Sequence, residues 1–238
     1  MYKLIIQVVK MILFTTLISF GTYSGASVVI SGTRVIYLEE EGEVTVLLTN
    51  EGASSVLVQS WLDNGDIDAM PDNINIPFIL SPPIIRIDPE KNQKLRMSYS
   101  GKTLPSDRES LFWLNVLEIP QTKIDAPKNR LQVAFRSRIK FFYRPIGLKG
   151  DAIEAARSLS WSIKDGHLSV YNHSAFYVSL ISITVLHSGK KTVIDGDIVE
   201  PFNSKDFPVK SGMLSTHDSL TYEYINDWGA VVVQDVLL

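Results

Sequence analysis

The stretch from Asn129 to Pro145, NRLQVAFRSRIKFFYRP, constrains the fold most strongly, because it contains no Gly and no Pro before its last residue. Its β-branched, aromatic and aliphatic side chains are typical of a strand. At about 3.3 Å per residue, the segment from Leu131 to Arg144 would span roughly 45 Å, whereas a usual strand spans about 17–20 Å. The sequence therefore predicts one unusually long strand here.

The side-chain pattern of this strand changes halfway along it. One face of the first half carries Leu131, Val133 and Phe135, and even positions further on carry four cations, Arg136, Arg138, Lys140 and Arg144. One interpretation is a long sandwich strand whose charges face water. The other is a strand offered to a partner, with apolar side chains for grooves in that partner and cations for an anionic end.

Composition limits the classes of function. The chain has 238 residues, of which 45% are hydrophobic and 21% charged, which suits one large domain or two small ones. A formal net charge of −3 gives no overall attraction to nucleic acid or anionic lipid. The absence of cysteine excludes disulfides, thiolate zinc sites and cysteine nucleophiles.

The N-terminus predicts export. Lys3 and Lys10 flank an apolar start, the run 11–20 (MILFTTLISF) suits the hydrophobic region of a signal peptide, and Ser24 and Ala26 suit its cleavage site. The alternative is a membrane anchor, but the apolar run is shorter than the ~20 residues that a spanning helix needs. We expect residues 1–26 to be removed, so that the mature chain begins near Ser27 outside the cytoplasm.

The rest of the chain predicts an all-β protein. Short alternating segments with frequent turn signals lie on both sides of a linker at 146–158, about seven on each side, which is typical of two immunoglobulin-like β-sandwiches.

Motifs for enzymatic chemistry are missing from the sequence. The four histidines form no H-E-x-x-H motif, and no G-x-S-x-G, S-x-x-K or Gly-rich phosphate loop occurs. The segment DNGDID (63–68) faintly suggests calcium, but it lacks the EF-hand layout, so we interpret it as a solvated turn. We predict no catalytic residue, no metal site and no cofactor.

Five charged residues lie in apolar or aromatic surroundings, where a lone charge costs several kcal/mol unless it is paired or hydrated. Each of them either faces solvent on the polar side of its strand or belongs to a structured ionic cleft. They are Arg34, Glu109, Lys140, Arg144 and Asp227.

The segment LPSDRESLFWLNVLEIP (104–120) resembles the signature of the periplasmic pilus (fimbrial) chaperones. Four further blocks are similar to family blocks and occur in the same order: GTRVIY (32–37), SPP (81–83), RIKFFYRP (138–145) and YINDWG (224–229). The resemblance covers essentially the whole mature chain.

This resemblance implies two immunoglobulin-like domains in a boomerang arrangement, over residues 27–147 and 148–238, in the periplasm. It implies that Arg34 and Lys140 bind the C-terminal carboxylate of a pilus subunit. Leu131, Val133 and Phe135 match the alternating residues that fill the groove of a subunit lacking its last strand. Glu109, Arg144 and Asp227 match the family's interdomain salt bridge.

The implied function is a non-enzymatic assembly chaperone without a cofactor. It would bind pilus subunits and deliver them to an outer-membrane usher, and it would take neither nucleic acid nor a small-molecule substrate. The short loop before the long strand resembles the short-loop class of the family. Two other classes remain open: a secreted two-domain adhesin or carbohydrate-binding module, which needs an exposed aromatic platform, and a hydrolase on a β-scaffold.

Overall fold

The computed structural model describes residues 2, 27–69, 71, 74–101, 103–121, 129, 132–164, 167–187, 189–209 and 219–237. Within this part of the chain, strands dominate and helices are short, as predicted from the sequence. No helix in these ranges combines the length and hydrophobicity needed to cross a membrane.

The first domain contains nine strands within the described residues, and a 3₁₀ turn lies at Glu39–Glu41. The strands are β1 (Val28–Ile30), β2 (Arg34–Leu38), β3 (Glu43–Asn50), β4 (Val56–Asp63), β5 (Phe78–Ser81), β6 (Ile84–Ile87), β7 (Asn92–Tyr99), β8 (Ser110–Pro120) and β9 (Phe135–Arg144).

These strands form two sheets, in the orders β1-β3-β7-β5 and β2-β9-β8-β4-β6. The sheets pack face to face because alternate side chains of each strand are apolar and point inward. The core contains a cluster of aromatic rings in which Phe78 lies 4.9 Å from Phe141 and 5.1 Å from Phe112, measured between ring centroids. Phe141 is fully buried, so the core fixes the middle of β9 firmly.

The second domain includes a short helix, α1 (Ala152–Arg157), whose Ala155 and Ala156 belong to that domain's core. The Asp151 carboxylate caps this helix by accepting hydrogen bonds from the backbone of Ile153 and Glu154, both at 2.8 Å. The strands are β10 (Ser160–Lys164), β11 (His167–Tyr171), β12 (Val178–His187), β13 (Lys190–Asp195), β14 (Ile198–Val199), β15 (Ser204–Pro208), β16 (Ser219–Ile225) and β17 (Val231–Leu237).

The sheets of the second domain have the orders β10-β11-β15 and β13-β12-β16-β17, with β14 paired to β12. They enclose a core of their own that includes Leu168, Ile183 and Tyr222, all fully buried. Each domain thus has its own core, and several contacts between the domains involve the outer face of β9.

Candidate functional site

Strand β9 has two different neighbours. It pairs antiparallel with β8 over Phe135–Tyr143, but parallel with β2 only from Lys140 to Arg144. Every other strand pair in the described part of the chain is antiparallel. The segment from Phe135 to Ile139 therefore has one paired edge, and its other edge pairs with no described strand.

The strand is shorter than the fourteen residues that we predicted. It begins at Phe135, and residues 132–134 are described but are not strand. The reason is the lack of partners, because pairing with β8 ends at Phe135 and pairing with β2 ends at Lys140. The side chain of Gln132 contacts β8, because its Nε2 donates to the carbonyl of Pro120 at 2.8 Å. Leu131 lies outside the described residues.

The inward face of β9 continues past the end of the core. Tyr143, Phe141 and Ile139 belong to the first domain's core or pack against it. Phe135, the first residue of β9, is 54% exposed, and Val133, two residues before the strand begins, is 47% exposed. An apolar surface thus follows directly from the buried part of the strand.

Arg144, near the end of the outward face, joins the two domains. Its guanidinium lies 2.7 Å from Glu109 and 2.9 Å from Asp227, between side-chain nitrogen and oxygen atoms. The structure thus brings together three residues of which Asp227 lies 83 positions from Arg144. Glu109 also bonds the second domain directly, because its carboxylate accepts from the backbone N–H of Tyr177 and its own N–H donates to the carbonyl of Ala175.

Burial and pairing oppose each other in this cluster. Glu109 is buried, and desolvation raises the pKa of its carboxyl despite the neighbouring Arg144. Burial lowers the pKa of Arg144, but the hydrogen bonds and charges of Asp227 and Glu109 outweigh it, so that this pKa is raised. The guanidinium therefore stays charged, and it stabilises two carboxylates that would otherwise be costly at this interface.

Arg34 and Lys140 are cross-strand neighbours at the start of the parallel pairing between β2 and β9. Their side chains consequently leave the same face of the sheet. The Lys140 ammonium donates to the Ser179 hydroxyl of the second domain at 3.0 Å, and Arg34 donates to the carbonyl of Ile225 at 3.0 Å. Neither cation forms a salt bridge with a carboxylate of the described residues.

Burial destabilises the charged forms of both cations. Burial, together with the charge of Arg34, lowers the pKa of Lys140 to about 8. Burial also lowers the pKa of Arg34, although the charges of Asp227 and Glu109 oppose this. The Nε of Arg34 is buried and has no hydrogen-bond partner in the described structure. The cleft thus presents two half-buried cations that form no salt bridge with a carboxylate of the described residues, although Asp227, Glu109 and Asp197 act on them from further away.

A third ionic contact was missed from the sequence. Asp63 was assigned to a solvated turn, but its side chain is only 2% exposed and pairs with Arg138 at 2.6 Å. Trp113 lies on the outer face of the sheet, with the Arg138 guanidinium 4.2 Å above its ring centroid. The sequence contains only a weak indication of this contact, because the spacing of the cations on β9 does not identify the carboxylate that the fold brings next to them.

The described residues contain no group of three or more His, Cys, Asp or Glu side chains that could hold a metal ion. Of the histidines, His173 contacts the hydroxyl of Ser160 at 2.9 Å. The fold and the cationic cleft between the domains define the class as a two-domain immunoglobulin-like binding protein.

Family models agree with this class. Residues 27–149 match the model of the pili and flagellar-assembly chaperone, PapD N-terminal domain, and residues 154–235 match that of the pili assembly chaperone PapD, C-terminal domain. The chain therefore belongs to the PapD family of pilus-assembly chaperones. This family acts in the periplasm and is not a family of enzymes.

Individual relatives span nearly the whole chain. A probable fimbrial chaperone, YadV of Escherichia coli, is 43% identical over 229 residues, covering 92% of this chain and 93% of the relative. The chaperone protein FimB/FhaD of Bordetella pertussis is 41% identical, with coverages of 90% and 89%. The crystal structure of the YadV chaperone superposes with a TM-score of 0.78 at 40% identity, covering 90% of this chain and all of that one.

A solved complex is also similar. The Salmonella enterica SafB chaperone, in complex with the SafA pilin, matches with a TM-score of 0.76 and 28% identity, covering 91% of this chain and 99% of that chain. That structure places a chaperone of this fold together with a pilus subunit.

Proposed function

We propose that this chaperone captures a pilus subunit by binding the subunit's C-terminal carboxylate between Arg34 and Lys140. The observation that carries the proposal is the pair of adjacent half-buried cations without a carboxylate partner. Two like charges held together in a partly dry cleft destabilise the free protein, and a carboxylate placed between them relieves this. A chain end is an anion that can enter such a cleft beside an open strand.

The second part of the proposal is strand addition. The unpaired edge of β9 from Phe135 to Ile139 offers backbone hydrogen-bonding groups to a strand of the subunit. Val133 and Phe135 then fill the groove of a subunit that lacks its own last strand, and Leu131 continues this series in sequence. The anchored carboxylate fixes the register, because side chains alternate between the two faces of a strand.

The Glu109–Arg144–Asp227 cluster orients the two domains in this proposal. The cleft cations bond to groups of the second domain, Ser179 and Ile225, so the positions of their charged ends depend on the relative position of the domains. The SafB–SafA complex supports subunit binding by a related chaperone. Delivery of the captured subunit to an outer-membrane usher completes the proposed function.

We further propose that residues 1–26 are a cleaved signal peptide and that the domains span 27–147 and 148–238. The contacts of Glu118 support the cleavage site, because this buried carboxylate accepts from the backbone N–H of Ser27 at 3.2 Å and of Val28 at 3.0 Å. Cleavage before Ser27 would turn its N–H into an ammonium group beside that carboxylate. N-terminal sequencing of periplasmic protein tests this, and a retained Met1 or Met11 would refute it.

The decisive experiment for subunit capture is a pull-down with a tagged pilin from a neighbouring open reading frame. Losing one charge from a buried ion contact typically costs about 2–5 kcal/mol, or roughly 30- to 4,000-fold in affinity. Arg34→Ala and Lys140→Ala should therefore nearly abolish capture. Circular dichroism should show that both variants remain folded.

A matched pair of variants tests strand addition. Val133→Glu should block capture, because it places an unpaired charge in the subunit's groove. Gln132→Glu introduces the same charge one residue earlier, on the opposite face, and should have a much smaller effect. Equal capture by Val133→Glu and wild type would remove the strand mechanism, and full capture by both cation variants would remove the carboxylate anchor.

A further inference from the structure

Arg138 and Lys140 share one aromatic platform. They lie two residues apart on the outward face of β9, and both side chains lie over the indole of Trp113. The Arg138 guanidinium is 4.2 Å from the ring centroid and the Lys140 ammonium is 5.9 Å away. The closer and flatter group covers the ring, which is the geometry that stacking of a guanidinium favours.

A buried carboxylate lies in the same cross-strand row as Lys140. Asp63 on β4 is in register with Trp113 on β8, and Trp113 is in register with Lys140 on β9. Two such steps separate the two Cβ atoms by roughly 10 Å, a distance that extended lysine and aspartate side chains and the hydrogen bond between them can together span. Asp63 is therefore a natural internal partner for Lys140, across the indole.

In the structure, Arg138 and not Lys140 pairs with Asp63. Its two guanidinium nitrogens lie 2.6 Å and 3.2 Å from the two carboxylate oxygens, a bidentate contact that a lysine cannot make. The backbone N–H of Gly65 and the amide of Asn115 donate to the same carboxylate, at 2.7 Å and 2.6 Å. Asn115 is fully buried, and its Oδ1 has no hydrogen-bond partner in the described structure. The orientation that lets its amide donate to Asp63 therefore leaves a buried acceptor unsatisfied, which costs folding free energy.

We infer that Arg138 is a positioning residue that keeps the carboxylate of Asp63 away from Lys140, so that the ammonium remains available to an anionic chain end. This inference rests on the proposed function, since it assigns Arg138 a role at the same cationic site. Arg144 acts in the same way towards Glu109 and Asp227. Asp63, Glu109 and Asp227 are thus each paired with an arginine, whereas Asp197, whose charge also acts on Lys140, pairs with Lys205.

The first test is a titration of Lys140 by NMR in the free protein, which needs no subunit. The other charged groups that act on this ammonium are Arg34 on β2 and Asp197 before β14. In Arg138→Met, the freed Asp63 should pair with Lys140 and raise its pKa towards the ordinary value. Asp63→Asn combined with Arg138→Met should reverse this rise, whereas a merely structural role of Arg138 predicts no reversal.

The second test is subunit capture by the same variants. Arg138→Met should weaken capture by roughly tenfold, because Lys140 is engaged, and the double variant should recover most of it. If the double variant binds as weakly as Arg138→Met, or if the pKa of Lys140 is unchanged in Arg138→Met, the inference is wrong.

Two further outcomes are informative. If Arg138→Met does not fold, Asp63→Asn alone tests the inference. This variant leaves the charge of Arg138 uncompensated and should therefore lower the pKa of Lys140. An unchanged pKa of Lys140 would overturn the inference. If the pKa values follow the inference but capture never depends on Lys140, the carboxylate anchor fails and the role of Arg138 stands.

Discussion

Replacing Lys140 by Met should reveal that the charge of this residue destabilises the free chaperone. The ammonium is half buried beside Arg34, and its pKa is lowered from an ordinary value of 10.5 to about 8. Below pH 8 the folded protein therefore carries a charge that burial disfavours. As the pH rises from 8 towards 10.5, the folded state loses this proton before the unfolded state does, so the wild type gains stability relative to Lys140→Met.

The size of the effect follows from the pKa. A lowering from 10.5 to about 8 corresponds to about 3 kcal/mol, at about 1.4 kcal/mol for each tenfold change in proton affinity. Because the side chain is only partly buried, screening by solvent reduces the expected penalty to about 1–2 kcal/mol. Most of this penalty should disappear by pH 10.

Urea unfolding of wild type and Lys140→Met at pH 6.5 and pH 10 measures the effect. Lys140→Met also loses the hydrogen bond to Ser179, but this loss is the same at both pH values. The pH dependence of the stability difference between variant and wild type therefore reports the charge alone. Ser179→Ala is the matched control, because it removes the hydrogen bond, keeps the ammonium and should retain the pH dependence of the wild type.

The result that would refute this reasoning is a difference between Lys140→Met and wild type that stays constant between the two pH values. It would mean that the ammonium is as well solvated in the folded protein as in the unfolded chain. The cleft would then hold no unsatisfied cation, and the main argument for an anionic ligand would be lost.

Three more predictions follow from the cleft and the N-terminus. Arg144→Ala should lower the free energy of unfolding by about 3–5 kcal/mol, because it leaves buried Glu109 unpaired. Denaturant titration should show that adding Glu109→Gln partly restores the stability, and no recovery would contradict the pairing. Subunit affinity should fall above pH 8, by up to about tenfold per pH unit, in binding assays across pH, whereas Lys140→Arg should show a flat profile. Glu118→Gln should destabilise the mature protein by about 1–3 kcal/mol in thermal unfolding, and an unchanged midpoint would argue against an ion pair with the Ser27 amino group.

The sequence by itself determined the features that depend on neighbouring residues. Alternation along one strand separates Val133 and Phe135 from the cations at even positions, and this separation needs only the period of two of a β-strand. Short alternating segments with frequent turn signals indicated the all-β class, which the strands of the structure confirm, and the ordered motifs indicated the chaperone family, which the family models confirm.

The tertiary structure decided which residues meet. The parallel register of β2 with β9 aligns Arg34 with Lys140, and the folding of two domains brings Asp227 to Arg144. No local sequence pattern predicts these contacts, because strand pairing and domain packing bring together residues that are distant in the chain. For the same reason the sequence did not predict that Asp63 is buried and paired with Arg138. The start of β9 is likewise set by the end of its pairing with β8 and not by the end of the strand-favouring sequence.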